Sequence, residues 1–156
     1  MKITKLLLAG TAFTLACGFL PIKTDIKEDH FRFENFKRDK GSNNEYVHLM
    51  CFAKKPTAWA QPKQYKAGEH KLWVKANISK DGVPSSSKHA FAEFDVDLEA
   101  GKSYMLNRSI ENDKISMWIQ EVETGIGVSE VIVADLNMPL NEERKLRLDQ
   151  CRQGTI

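Results

Sequence analysis

The sequence predicts an all-β protein, an antiparallel sandwich of about seven strands with a short C-terminal helix. Apolar residues recur at every second position through most of the chain, a period that is typical of strands with one buried face. The alternating stretches are short and fairly regularly spaced, and no amphipathic helix separates them. This arrangement favours an antiparallel sandwich over a parallel α/β sheet.

Seven stretches show this alternation or a comparable apolar run, and they are the candidate strands: residues 30–34, 46–52, 71–76, 90–98, 104–106, 115–119 and 128–136. The second is apolar on both faces, so we expect it to be a central strand. The fourth is the longest clean alternation and carries acidic residues on its other face. Three connections rich in turn-forming or polar residues are predicted to be irregular: residues 37–45, 57–68 and 79–88.

The tail after the last candidate strand has a different pattern. Asn137 or Asn141 could begin a helix, because an asparagine side chain accepts hydrogen bonds from the first helical turn. Acidic residues follow Asn141 directly and basic residues come later, which suits the helix dipole. We therefore predict a sandwich over residues 29–136 and a helical tail over 137–156 that packs on it.

The first residues have the features of an export signal. Lys2 and Lys5 are followed by eleven uncharged residues before Cys17. This stretch is shorter than the roughly 20 apolar residues of a transmembrane helix. Residues 1–16 are therefore predicted to be a signal peptide.

The residues around Cys17 resemble a lipobox, in which a small residue precedes a cysteine that becomes acylated. Ala16 occupies the small position, whereas Thr14 stands where most lipoboxes have leucine. Ordinary cleavage after Ala16 or Gly18 is the alternative. We predict lipidation of Cys17, with residues 17–28 forming the lipidated N-terminus and a flexible tether.

Lipidation predicts both a place and a partner for the chain. The N-terminal lipid would anchor it to a membrane of the bacterial cell envelope, facing the periplasm. Gly18, rather than an aspartate, follows the cysteine and is compatible with transfer to the outer membrane. The sequence therefore predicts an outer-membrane lipoprotein.

Net charge gives no indication of a charged partner. The chain has 23 basic and 21 acidic residues, but Lys2 and Lys5 belong to the predicted signal peptide, so 23 − 2 leaves 21 of each. A neutral mature chain offers no electrostatic argument for binding nucleic acid or anionic lipid.

Cys51 and Cys151 remain as an even pair once Cys17 is assigned to the anchor. In an oxidising periplasm such a pair is most simply a disulfide. Two buried free thiols are the alternative.

Two stretches together resemble a known type of protein. A glycine turn at Gly68 precedes His-x-Leu-x-Val from His70, and a later strand is followed by Ala-Gly-Lys-x-Tyr ending at Tyr104. This pattern resembles small bacterial envelope lipoproteins with a PEGA-like or transthyretin-like β-sandwich domain, over about residues 45–133. The resemblance implies an immunoglobulin-like or transthyretin-like sandwich, and it brings no catalytic or ligand motif.

No catalytic, metal or cofactor site is predicted. The four histidines lie in separate segments without zinc-ligand spacing. Four alternating carboxylates could offer oxygen ligands to calcium, but neighbours along a strand face are about 7 Å apart, which favours a solvated face: Glu93, Asp95, Asp97 and Glu99. The sequence contains no nucleophile elbow and no phosphate-binding glycine loop, so we do not expect an enzyme.

Two tryptophans are the candidate ligand surface. Trp73 and Trp118 each lie opposite apolar neighbours in their strands and are expected to point away from the core. Exposed tryptophans mark binding surfaces. The alternative, which we favour, is that the N-terminal segment or the tail covers them.

These patterns predict a non-catalytic lipoprotein of the cell envelope that acts as a structural or accessory protein by docking to another protein. Its partner would be an unknown envelope protein or a cell-wall component. The alternative is a glycan- or peptide-binding module that uses Trp73 and Trp118 as an exposed aromatic face.

Overall fold

A computed structural model describes residues 25–39, 41–59, 61–140 and 143–156. The predicted signal peptide, Cys17 and the first part of the predicted tether lie outside these ranges. The last part of the tether is described and contacts the sandwich, since Gln64 accepts from the Lys27 backbone and donates to the carbonyl of Asp25.

The described residues form a β-sandwich with eleven strands and one helix. The strands are β1 (His30–Glu34), β2 (Phe36–Arg38), β3 (Asn43–Leu49), β4 (Cys51–Phe52), β5 (Lys55–Pro56), β6 (Lys63–Lys66), β7 (Gly68–Lys80), β8 (Val83–Leu98), β9 (Ser103–Glu111), β10 (Lys114–Glu121) and β11 (Ile132–Asp135), and the helix is α1 (Glu143–Gln153). The predicted all-β class is confirmed. Within the described residues, no helix is long and apolar enough to cross a membrane.

Two sheets form the two layers. The five-stranded sheet has the order β11-β10-β9-β1-β6, and the four-stranded sheet has the order β2-β3-β7-β8. A small hairpin of β4 and β5 lies beside them. The chain passes from one sheet to the other between β1 and β2, where the Asn35 side chain accepts a hydrogen bond from the Leu49 backbone at 3.0 Å.

The core lies between the two sheets and is built from the alternate apolar residues of both. The four-stranded sheet contributes the inward side chains of β3, β7 and β8, and the five-stranded sheet contributes those of β1, β9 and β10. The largest include Phe31, Phe33, Phe94 and Tyr104. Each fully buried large side chain contributes about 1.5–3 kcal/mol to folding. The residues opposite them in each strand point outwards.

The polar segment 79–88 was predicted to be a loop, and this prediction is wrong. β7 and β8 form one long hairpin in which Ile78 pairs with Lys88 and Lys80 with Val83, so that only Asp81 and Gly82 form the turn. Gly82 has φ +68, a conformation that glycine adopts without strain. Backbone pairing requires no apolar side chains, which is why the polar sequence did not reveal it.

The structure also has more strands than the seven predicted, and one of its contacts is parallel. β6, most of β2 and the first residues of β3 lie in segments that were expected to be irregular, and β5 lies just before one of them. β1 pairs antiparallel with β6 but parallel with β9, with Phe33 opposite Tyr104. The last strand, β11, is shorter than the predicted stretch 128–136.

Candidate functional site

The outer face of the four-stranded sheet is covered on one side by α1, which a disulfide holds in place. Cys51 of β4 and Cys151 of α1 are joined with a Cα–Cα distance of 5.4 Å. Both cysteines are buried and pack with Met50 in a small second core. The predicted pairing is therefore confirmed.

The helix makes further contacts with this face. The Arg147 guanidinium lies 3.3 Å from the centroid of the Phe91 ring, and a carboxylate oxygen of Glu143 lies 3.7 Å from Nδ1 of His89. Beyond the helix, the Thr155 backbone donates to the carbonyl of Lys71 at 3.0 Å. The C-terminal tail is therefore held on the sheet by a backbone hydrogen bond to β7 as well as by the disulfide.

Trp73 lies beneath this tail. A Cβ at Gly154 would lie 3.4 Å from the Trp73 ring, and the ring packs against the second core of Met50 and the two cysteines. Trp118 belongs to β10 in the other sheet, and its indole nitrogen donates to Gln120 at 3.0 Å. The two tryptophans point outwards from opposite sheets, so they cannot form one continuous aromatic face.

The candidate calcium ligands are divided among other partners. The Lys71 ammonium forms salt bridges with both Glu93 and Asp95. Asp97 lies further along β8, and Glu99, just after the end of β8, pairs with Lys102 at 2.9 Å. In the described residues, no group of three or more His, Cys, Asp or Glu side chains is placed to hold a metal ion.

An aromatic cavity opens on the same outer face, on the side away from α1. It has a volume of about 270 Å³ and is lined by Lys37, Tyr46, His48, Ala58, Trp59 and Asn77. The Trp59 ring centroid lies 5.9 Å from that of Tyr46 and 5.7 Å from that of His48. β3 places Tyr46 and His48 on one face because they are two residues apart. We call this space the aromatic cavity.

His48 is the unusual member of this cavity. Its side chain is only 3 % exposed, and within the described residues neither ring nitrogen has a hydrogen-bond partner. Burial, with a smaller contribution from the Lys75 charge, lowers the pKa of His48 to about 4, although an interaction with the Thr57 backbone partly opposes this shift. The imidazole is therefore neutral at physiological pH.

Sequence reasoning missed this cavity. Trp59 falls in the segment 57–68 that was expected to be an irregular connection, and His48 was considered only as a metal ligand. The alternation of Tyr46 and His48 was the one available signal, and it does not reveal that a distant loop packs on that face.

A second surface lies at the edge of the five-stranded sheet. Gly127 bridges to Gln120 and Ile132 pairs with Met117, so the chain from Gly127 through β11 runs antiparallel to β10. Among the described strands, none pairs with the other side of β11. We call the exposed apolar side chains of this segment and of the connection that precedes it the edge surface: Val122, Ile126, Val128, Val131 and Val133.

The edge surface is also acidic. Four carboxylates accompany its apolar residues: Glu121, Glu123, Glu130 and Asp135. The sequence from residue 115 to residue 143 contains no lysine or arginine. Ile126 and Val133 are 64 % and 58 % exposed, so the apolar side chains stand in solvent among these charges.

No protein-family model, curated protein or solved structure matches this chain. The two surfaces therefore have to be interpreted from their own geometry and chemistry.

Proposed function

We propose that this protein is a non-catalytic accessory lipoprotein of the bacterial cell envelope, anchored through Cys17, that docks to another envelope protein by its edge surface. The observation that carries the docking proposal is the second edge of β11, which pairs with no other described strand, together with the exposed side chains of Val133 in β11 and Val131 just before it. Unpaired strand edges are the sites at which extended segments of other proteins add a strand.

The predicted export signal and the disulfide support the envelope location. Lys2, Lys5 and the uncharged stretch before Cys17 are the sequence features of export. Disulfides persist in the periplasm and are rare in a reducing cytosol. The buried Cys51–Cys151 pair fits the oxidising compartment.

The charge and apolar character of the edge surface indicate what kind of segment would bind it. Lys114 lies 2.7 Å from Asp135 and Lys102 lies 4.0 Å from Glu121, so the excess negative charge of the surface comes from Glu123 and Glu130. An apolar surface with this excess is complementary to an extended segment with alternating apolar and basic side chains. A second copy of the segment 130–135, paired antiparallel over its whole length, would bring Glu130 opposite Asp135, and like charges directly opposite each other are destabilising. An anionic membrane surface would be repelled as well.

The fold is proposed to be of the immunoglobulin-like or transthyretin-like type found in PEGA-like lipoproteins. The support is the sequence resemblance at the turns, where Gly68 and Gly101 have φ +126 and +79.

A photocrosslinking side chain at Val133 tests the docking proposal in living cells. We expect one crosslinked envelope protein whose attached peptide is an extended segment of apolar and basic residues. The same crosslinker at Glu69, which is exposed on β7 of the other sheet, is the matched control and should not capture it.

A substitution separates docking from chance capture. With the crosslinker kept at Val133, Val131→Asp should abolish the crosslink while leaving the fold intact, because Val131 is 58 % exposed. A crosslink that persists in this variant, or one that joins only two copies of this chain, would overturn the proposed docking mode.

Mass spectrometry of the mature N-terminus tests the anchor separately. A diacylated or triacylated Cys17 is expected. An unmodified N-terminus beginning at Cys17 or Phe19 would show ordinary cleavage and rule the anchor out.

The alternative function, a glycan- or peptide-binding face made of Trp73 and Trp118, is not proposed. These side chains point outwards from opposite sheets, and the C-terminal tail lies against Trp73.

A further inference from the structure

We propose that the aromatic cavity is a binding site for a single saccharide ring, which stacks on Trp59 and hydrogen-bonds to the polar groups of the cavity lining. The site is distinct from the edge surface, because it lies on the outer face of the four-stranded sheet. It therefore adds a ligand to the proposed docking function and does not depend on it.

The walls suit the apolar face of a sugar. The Tyr46 and Trp59 rings meet edge to face at 78°, so they form two walls at a steep angle to one another. Trp59 is only partly buried in the free protein, although a large aromatic side chain gains most from full burial. A pyranose presents a face of C–H groups that covers such a ring.

The lining also offers hydrogen-bonding groups of both kinds. A neutral imidazole carries one donor and one acceptor, and both ring nitrogens of His48 are buried, with the Thr57 backbone interacting with at most one of them. The Asn77 side-chain carbonyl accepts from Ser87 at 2.8 Å, which leaves its amide nitrogen as a donor. Sugar hydroxyls both donate and accept, so they can satisfy this mixed set.

Other ligand classes fit the cavity less well. A purely apolar molecule would leave His48 and Asn77 unsatisfied, which is costly in a buried site. A strong anion is favoured less, since Lys37, the lysine of the cavity lining, already has its ammonium 3.0 Å from Asp39. The volume of about 270 Å³ is just below the range of about 300–1,000 Å³ found for drug-sized ligands, so it fits one ring better than a long chain.

Titration of the full mature chain with sugars tests this site. The probes are glucose, galactose, N-acetylglucosamine and glucuronate, and the readout is the NMR signal of each tryptophan indole N–H. We expect at least one sugar to shift the Trp59 signal saturably with a dissociation constant of about 1 mM, a typical weak affinity for one small ring. The signals of Trp73 and Trp118 should stay unchanged.

Three variants make the test specific. Trp59→Ala should weaken binding about tenfold or more, as removal of a central aromatic contact does. Ala58→Arg should also weaken binding, because the arginine side chain would fill the cavity. Ala58 is exposed, so this variant should fold and can be tested even if Trp59→Ala does not fold. Trp118→Ala on the opposite sheet is the matched control and should bind normally.

Several outcomes would overturn the site. The first is that none of the four sugars shifts the Trp59 signal at about 50 mM, some fifty times the expected dissociation constant. The second is that Ala58→Arg binds the sugar with the same dissociation constant as the unaltered chain. Failure here would leave the edge surface untouched, because the Val133 crosslink reports on the other sheet.

Discussion

At the scale of single residues, His48 couples stability to pH. Its pKa of about 4 lies below the ordinary value of 6.5. Between these two pH values His48 is therefore protonated in the unfolded chain and neutral in the folded chain. The stability is fully present above the ordinary pKa and is lost as the pH falls towards the lowered one. Lys75 and His89 face the same imidazole and both lower its pKa.

Acidification should therefore destabilise the protein through this residue. As the pH falls from about 7 to about 4, protonation linked to His48 should lower the free energy of unfolding by about 3 kcal/mol, which urea denaturation would measure. His48→Gln should remove this part of the pH dependence, whereas His30→Gln should leave it in place. An unchanged pH profile in His48→Gln would show that other groups are responsible.

Glu45 and Arg108 form a buried ion pair that links the two sheets. Glu45 points inwards from β3 beside Val47, and Arg108 reaches it from β9 while its guanidinium lies 4.2 Å from the Phe36 ring centroid. The side chains of the pair are 9 % and 15 % exposed. Removing only one partner would leave the other charge poorly solvated.

Single and double substitutions should separate these effects. Arg108→Met should lower the unfolding free energy by about 3 kcal/mol, because the Glu45 carboxylate loses its partner. Adding Glu45→Met should recover much of this loss, since two apolar side chains replace the charged pair. Chemical denaturation of both variants measures the coupling, and a double variant less stable than the single one would contradict it.

At the scale of elements, α1 depends on its attachments. Only Cys151 of its eleven residues is buried, so the helix has little apolar surface of its own to hold it on the sheet. The disulfide, Arg147 on Phe91 and the Thr155–Lys71 hydrogen bond supply the attachment. Short helices without such support are marginal in water.

Loss of the disulfide should let α1 detach from the sheet under conditions in which the sandwich stays folded. Cys51→Ala with Cys151→Ala should cost up to about 4–5 kcal/mol for a loop of 100 residues. Hydrogen exchange should accelerate in α1 more than in β7 to β10. A reductant should reproduce this in the unaltered chain and have no effect on the double variant.

The elements that the sequence predicted are those whose side chains alternate strictly. Leu72 and Val74 in β7, or Phe94 in β8, reveal their strands because one face is buried. The polar half of the β7–β8 hairpin could not be predicted, because backbone pairing alone holds it. The Cys51–Cys151 pair was predictable by counting, whereas Trp59 reaches His48 through a tertiary contact that leaves no periodic signal.

At the scale of the whole molecule, processing should change the charge. The complete chain has a pI of about 8.4, and loss of Lys2 and Lys5 leaves 21 basic and 21 acidic residues. The mature protein should therefore focus at about pH 7. Cys17→Ser should block lipoprotein processing and retain the higher value on an isoelectric focusing gel. Equal values of about 8.4 for the two forms would show that the segment is not removed, and equal values of about 7 would show ordinary cleavage that does not depend on Cys17.

The position of β1 has a consequence for the order in which the molecule can form. β1 is synthesised before both β6 and β9, yet it lies between them inside the five-stranded sheet. Phe31 and Phe33 must therefore wait for Tyr104 to appear before their strand has both neighbours. Late arrival of β9 makes completion of this sheet a long-range, slow event. Until then, the apolar face of the earliest strand has no permanent cover, and a chaperone has a defined interval in which to act.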